Sequence, residues 1–219
     1  MTAQERCADE AGSPRKGGMV SRRERGFSLL EMMVVVGITL TALAVNFMFL
    51  QPGLKAARAN AAASEVFMLM RRYRQQAVDE RKRYIVTFTA PNTIQVSRWD
   101  VALPVSPAPV VITTQQLPQD TQFQIVAGVP TANTPDNFGV GGVAIDFGQN
   151  IGLGGLNYVM FMPDGSAQDT LGNLNNGVVY TARTGDLYSS RAITVFGATG
   201  RLRGWQLLNQ AGNATWVQK

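Results

Sequence analysis

The distribution of apolar residues first marks out one long hydrophobic segment. From Phe27 to Leu50 nearly every side chain is apolar, and Glu31 is the one charged residue. As a helix this segment would be about 36 Å long at ~1.5 Å per residue, longer than a hydrocarbon core of ~30 Å requires. The pattern predicts a membrane-spanning helix, and Pro52-Gly53 is expected to bend or loosen the helix just after it.

A second pattern, with steps of mostly three and four residues, covers residues 54–83 and is typical of an amphipathic helix. Arg71 and Arg74 fall away from the apolar stripe, so we expect them to face solvent. Contact with lipid headgroups or with a neighbouring subunit is the alternative for these basic residues. The stripe itself is predicted to pack on the protein's own sheet, and it consists of Leu54, Ala57, Ala61, Val66, Leu69, Tyr73 and Ala77.

From Tyr84 onward the period changes to two, which predicts strands. Residues 84–89 and 93–99 flank Ala90-Pro91-Asn92, a hairpin signal. The predicted fold class is therefore α+β: a long N-terminal helix over 27–83, then a mostly antiparallel β-sheet domain over 84–219. Further strands are predicted at 110–115, 122–127, 142–147, 158–162, 178–182, 192–196 and 202–208, joined by turns rich in glycine and asparagine.

The composition argues against most enzyme classes. The chain has no histidine and one cysteine, Cys7, so it lacks the commonest general base, the usual zinc ligand and any disulfide within the chain. Asp164, Asp169 and Asp186 lie in predicted loops, but their spacing fits no calcium-binding loop, and we interpret them as turn residues. We therefore expect no catalytic residues, no cofactor and no metal.

Charge is concentrated around the hydrophobic segment. Arg22, Arg23 and Arg25 precede it, whereas Lys55 and Arg58 follow it, and the heavier basic flank favours an N-terminus in the cytoplasm. The segment is too long for the hydrophobic region of a cleaved signal peptide, which has ~7–15 residues. A plain membrane anchor would not explain Glu31, because a carboxylate in a spanning helix costs ~2.5–3.5 kcal/mol on insertion scales.

Gly26-Phe27-Ser28-Leu29-Leu30-Glu31 resembles the processing site of type IV pilins and of the pseudopilins of type II secretion. The resemblance implies that prepilin peptidase cuts after Gly26 and methylates Phe27, so that residues 1–26 are a leader. It also implies that Glu31 meets the N-terminal ammonium of a neighbouring subunit when helices pack into a filament core. A buried carboxylate needs such a compensating charge. Met19 begins a short basic leader and is a second candidate for the start of the chain.

The C-terminal half is similar to minor pilins of the GspH/FimT type. Phe161-Met162-Pro163-Asp164-Gly165 is similar to their F-x-P-x-G turn, and Gly200-Arg201-Leu202-Arg203 to their terminal G-R-x-R. In the FimT-like branch the two arginines contact DNA, which would make Arg201 and Arg203 a DNA site here. In the secretion branch the same fold binds other minor subunits. A solvated strand edge, with charges that deter pairing, is the third interpretation.

If Arg201 to Leu207 is a strand, Arg201, Arg203 and Trp205 share one face, and the two guanidinium groups lie ~6.6 Å apart. That separation could bridge neighbouring phosphates. The leading hypothesis is a minor pilin or pseudopilin anchored in the inner membrane, with its β domain in the periplasm and then in a filament. The expected partners are prepilin peptidase and other pilin or pseudopilin subunits. The second hypothesis is a DNA contact, and an anchored periplasmic enzyme is the third.

Overall fold

The computed structural model describes residues 27–100, 108–149 and 154–219, and for residues 48–52 it describes the backbone alone. The chain divides into two compact units, Met1–Phe47 and Met48–Lys219. The described part of the first unit is apolar helix. The second unit contains the remaining helical residues and every described strand.

Helix α1 has the bounds Leu29–Glu80, so it includes Pro52 and Gly53, which do not end it. It stops three residues before the predicted boundary at residue 83. Arg81 takes a left-handed conformation with φ of 53°, and a residue in this conformation is a common helix terminator. The first strand then begins at Arg83.

Eleven strands are described, and all of their pairings are antiparallel. One sheet has the order β3-β2-β1-β6-β7, and the other has the order β11-β10-β9-β8-β4, with β5 also paired to β8. The predicted α+β layout is confirmed. The strands are β1 Arg83–Thr89, β2 Thr93–Trp99, β3 Val110–Gln116, β4 Thr121–Gln122, β5 Ile145–Gln149, β6 Tyr158–Phe161, β7 Ala167–Gln168, β8 Asn176–Arg183, β9 Asp186–Phe196, β10 Arg201–Gln210 and β11 Asn213–Gln218.

The hairpin predicted around Ala90-Pro91-Asn92 is confirmed, since β1 pairs with β2 and Thr89 lies opposite Thr93. The strand predicted at 122–127 is largely wrong. Only its first residue is in β4, and the N–H of Phe123 donates to the carbonyl of Pro91 rather than to a sheet neighbour. That bond draws the chain towards the first hairpin, which ends its pairing with β8.

The sequence patterns missed two strands, misplaced part of a third and predicted only the second half of β9, which begins at Asp186 rather than at Ala192. β7 is only two residues long, and a strand that short has no detectable period. β11 follows a tight turn at Ala211-Gly212, where both residues have positive φ, and alanine is not a usual residue for that conformation. β5 starts at Ile145 rather than at Gly142.

The core of the second unit forms where α1 packs against both sheets. The predicted helical stripe is confirmed from Val66 onward, but Leu54, Ala57 and Ala61 are exposed. Ala61 is five residues from Val66, which is roughly 140° around a helix of ~3.6 residues per turn. The buried positions instead continue back to Ala62 and Ala59, four and seven residues before Val66.

Candidate functional site

The residues at the predicted processing site lie at the start of α1. Gly26 and the rest of the predicted leader lie outside the described residues. Phe27 is 74 % exposed, and Phe27 and Ser28 precede the first helical residue, Leu29. A peptidase could therefore reach the N-terminal side of Phe27 without unwinding a described helical turn.

The segment Leu29–Phe47 is long and apolar enough to cross a membrane, and none of it is buried within the protein. Its polar side chains are satisfied locally. Thr39, Thr41 and Asn46 each donate to a backbone carbonyl three or four residues earlier, at 2.8–3.1 Å. These donors therefore need no water or protein partner, and the helix can face hydrocarbon with little polar cost.

Glu31 differs from these three side chains. It lies exposed in the first turn of α1, and no side-chain hydrogen bond joins it to another described residue. An ionised carboxylate only accepts hydrogen bonds, so it cannot use the helix carbonyls as threonine does. The positive end of the helix dipole supplies modest stabilisation at this position. In an apolar setting Glu31 therefore needs a donor or a positive charge from outside its own helix.

The second predicted site places Arg201 and Arg203 on β10. β11 pairs with this strand only from Trp205 to Gln210, so Arg201 and Arg203 lie where the described β10 is paired with β9 alone. The interpretation as a solvated strand edge therefore agrees with the exposed position of Arg201, but not with that of Arg203. The side chain of Arg203 is 27 % exposed, and its Nη1 donates to Oδ1 of Asp136 at 2.5 Å. Its guanidinium also lies 4.9 Å from the centre of the Phe196 ring, within cation–π range. The charge of Arg203 is thus already paired within the protein.

The partner of Arg203 belongs to a small network. The side chain of Asp136 is 6 % exposed, and its second oxygen accepts from the hydroxyl of Thr194, which is fully buried. The same hydroxyl accepts from the indole N–H of Trp205 at 3.2 Å. The predicted shared face of Arg203 and Trp205 is therefore real, but it is occupied by an internal network. Every polar atom named here has a partner, and removing one side chain would leave the polar atoms that it contacts without their hydrogen bonds.

Arg201 has a different environment. It is exposed, and it lines a cleft of about 370 Å³ together with Arg71 and Arg74. None of these three arginines pairs with a described carboxylate. The cleft is therefore a local concentration of positive charge, suited to an anion.

Arg74 is only partly exposed, although the helical pattern suggested that it faces solvent, and it joins two turns. Its Nε donates to the carbonyl of Gly165 at 3.1 Å, and its Nη2 donates to the carbonyl of Thr199 at 2.9 Å. Gly200 has a φ of 59°, and a Cβ there would collide with the Gly165 carbonyl and with the Arg74 guanidinium. The two segments that resemble GspH/FimT motifs therefore meet on α1, and the glycine of the second is a packing requirement.

Two of the three aspartates interpreted as turn residues, Asp164 and Asp169, do serve turns, whereas Asp186 is the first residue of β9. Asp164 accepts from the backbone and side chain of Ser166, and these hydrogen bonds lower the pKa of its carboxyl group. Burial raises the pKa of Asp169, but hydrogen bonds from Asn173 and from the backbone outweigh it and leave the pKa below its usual value. No cluster of three or more metal-binding side chains occurs among the described residues.

Sequence reasoning missed three residues that matter at these sites. Asp136 lies 67 positions from Arg203, and no local pattern links the two. Arg74 looked like a surface charge because the two turns that accept its hydrogen bonds, at Gly165 and Thr199, come next to α1 only in the folded protein. Arg191 is 3 % exposed, and the strand pattern around it gave no sign that this cation is buried.

Comparison with known proteins gives one match. Residues 21–45 match the prokaryotic N-terminal methylation motif, which is the cleavage site of prepilin peptidase. No curated protein and no solved structure matches the chain. The motif contains Gly26, Phe27 and Glu31, the residues singled out from the sequence. The chain therefore carries a prepilin-type N-terminus, and its apolar helix followed by antiparallel sheets has a pilin-like layout.

Proposed function

We propose that this protein is a minor pilin or minor pseudopilin, processed by prepilin peptidase and then assembled into a type IV pilus or a type II secretion pseudopilus. The observation that carries the proposal is the methylation motif at residues 21–45, which leads directly into an exposed apolar helix with Glu31 in its first turn. The resemblance of 161–165 and 200–203 to GspH/FimT segments supports a minor rather than a major subunit.

The N-terminal segment has apolar side chains and a carboxylate that need partners outside the subunit, and assembly would supply them. Before assembly, lipid covers the exposed apolar side chains of Leu29–Phe47. Cleavage after Gly26 creates an ammonium group on Phe27 of every copy. In a filament, the Glu31 carboxylate of one subunit pairs with the Phe27 ammonium of a neighbour, and packed helices replace the lipid.

The proposed orientation places the β-sheet unit in the periplasm. Arg22, Arg23 and Arg25 precede the apolar segment and keep the N-terminus cytoplasmic by the distribution of positive charge. Prepilin peptidase then acts at the cytoplasmic end of the helix, next to Gly26. The subunit remains a single-pass inner-membrane protein until it is extracted into a filament.

Quantitative mass spectrometry of sheared filaments tests this proposal. We expect peptides of the β-sheet unit in the filament fraction, at a small fraction of the copy number of the main subunit. Unsheared membranes from cells without the assembly machinery are the control. If the protein were the most abundant subunit, it would be a major pilin, and if it never left the membrane fraction, it would not be a filament subunit.

A second candidate function is DNA contact, and the cleft lined by Arg71, Arg74 and Arg201 favours it. Phosphate is an anion that guanidinium groups bind well, and the two exposed members, Arg71 and Arg201, are free to move towards it. Arg203 is the weaker half of the clamp expected from the sequence, because Asp136 already neutralises it. In this version Arg71 replaces Arg203 as the partner of Arg201.

Fluorescence anisotropy with short labelled duplexes tests the DNA hypothesis on a chain lacking residues 1–51. We expect weak binding without sequence preference that falls as salt rises. Arg201→Gln and Arg71→Gln should each reduce affinity, whereas Arg72→Gln, an exposed arginine on the same helix, should not. Equal loss in all three variants would assign binding to general basic charge, and no binding at low salt would exclude the DNA hypothesis.

A further inference from the structure

A pocket of about 270 Å³ lies between α1 and strands β9 and β10, and Phe67 is the one residue that it shares with the cleft of Arg71 and Arg201. Most of its wall is apolar, with Phe67 and Met68 from the helix and Ile193 from β9. It is slightly smaller than the ~300–1,000 Å³ typical of ligand pockets and has their usual lining, a largely apolar wall with few polar groups. Its size suits a compact apolar group rather than an extended chain.

Part of the pocket is open because Gly204 has no side chain. Gly204 lies on β10 opposite Ile193 of β9, and it lines the pocket. A Cβ added at Gly204 would meet no atom within 4 Å, so the space in front of it is open. The φ of Gly204 does not lie in the left-handed region, so the backbone itself does not require glycine here. Glycine at position 204 therefore leaves open space in the pocket, although the backbone of β10 does not require glycine there.

Among the polar residues that line this pocket, Arg191 is the buried one, at 3 % exposed. Its Nε donates to Oδ1 of Asn60 at 3.0 Å, and its Nη1 donates to the carbonyls of Tyr188 and Ser190 at 2.9 Å. Nη2 has no acceptor among the described residues, and no described carboxylate forms an ion pair with Arg191. Burial lowers the pKa of Arg191. The negative charge of Asp186 raises it by less, so the pKa stays below its usual value.

A buried guanidinium without a counter-ion is an unusual arrangement, because burial of an unpaired charge is costly. Arg191 is already held in place by three acceptors, so a ligand would not have to order it. Lys219 also lines the pocket, and its backbone N–H donates to the carbonyl of Gly204. A carboxylate entering the pocket would thus meet the buried guanidinium of Arg191, while its apolar part would contact Phe67 and Ile193.

We propose that this pocket binds a small monocarboxylic acid with a compact apolar body, such as an arylalkanoic or short-chain aliphatic acid. The carboxylate accepts a hydrogen bond from Nη2 of Arg191, and the apolar body fills the space left by Gly204. This inference does not depend on the proposed role in a filament. It concerns only side chains of the second unit.

The test uses the full chain in lipid nanodiscs with ¹³C-methyl-labelled methionine and 3-phenylpropionate as the probe. The Met68 methyl group reports on the pocket, because Met68 lines it and is 60 % exposed. Met70 and Met160 are buried elsewhere and report on the fold, and Met32 reports on probe dissolved in the bilayer. We expect a saturable shift of the Met68 signal alone, with 3-phenylpropan-1-ol at least about tenfold weaker because it lacks the charge.

Gly204→Leu supplies the matched variant, since it fills the pocket and leaves Arg191 in place. We expect it to abolish the Met68 shift while the Met70 and Met160 signals keep their wild-type positions. Arg191→Lys keeps a positive charge but loses the forked donor, and it should weaken binding. Equal binding of the acid and the alcohol, wild-type binding by Gly204→Leu, or no saturable shift at millimolar probe would overturn the proposal.

Discussion

The apolar segment Leu29–Phe47 and the unit Met48–Lys219 differ in the burial and in the pairing of their side chains. In the segment, large apolar residues such as Leu29 are up to 79 % exposed, whereas Val66 in the second unit is fully buried. The charges differ too, because Glu31 has no partner among the described residues, whereas Arg203 is paired with Asp136. The second unit buries its own hydrophobic core, whereas the segment must be covered by lipid or by other chains.

Separating the two regions should have the largest effect. We expect a chain lacking residues 1–51 to be soluble and to unfold in one cooperative transition, because the core around Val66 and Tyr73 is contained in the remainder. The full chain should sediment with membranes. Circular dichroism during thermal unfolding, together with fractionation, checks both statements. An aggregated fragment, or one that unfolds without cooperativity, would show that the second unit is not self-sufficient.

Removing the charge of the apolar segment should separate insertion from assembly. Glu31→Leu removes an insertion cost of ~2.5–3.5 kcal/mol, so membrane insertion should be unchanged or improved. The amount recovered in sheared filaments should fall at least about tenfold, because a neighbour's ammonium loses its partner. Met33→Leu is the matched control and should assemble normally. Wild-type recovery of the Glu31→Leu protein would mean that the carboxylate has another role.

Within the second unit, two neighbouring arginines should respond differently. Arg203→Gln leaves the carboxylate of Asp136 without its cation and should lower the free energy of unfolding by about 1–3 kcal/mol. Arg201→Gln changes an exposed side chain and should alter it by no more than ~0.5 kcal/mol. Chemical denaturation of the soluble fragment measures both. Similar values for the two variants would mean that the contact with Asp136 contributes nothing to stability.

The smallest effect should appear in acid. The pKa of Asp169 is lowered in the folded protein, so its contribution is complete above the unfolded value of ~3.9 and is lost as pH falls through the folded value. Asp169→Asn removes this titration, so the variant should lose less stability than wild type between about pH 5 and pH 2. Denaturation curves at several pH values test the difference. Parallel curves would mean that Asp169 is equally acidic in the unfolded chain.

The comparison also shows which features a sequence can reveal. The apolar segment, Glu31 and the first hairpin depend on neighbours in the chain, and local patterns found them. The pairing of Arg203 with Asp136, the bonds from Arg74 to two turns and the bond from Arg191 to Asn60 join residues 67 to 131 positions apart. Alternation along β10 correctly placed Arg203 and Trp205 on one face. It could not show that this face is covered, because the covering residues come from elsewhere in the chain.

The central claim is that the N-terminal segment is built for processing and assembly rather than for simple anchoring. Intact-mass and N-terminal peptide mass spectrometry of the protein, purified from cells that contain prepilin peptidase, tests it most directly. Our account predicts a mature chain that begins with N-methylated Phe27, and it predicts that Gly26→Val leaves the leader attached. A wild-type chain that retains residues before Phe27, or that is cut at another position, would contradict the account.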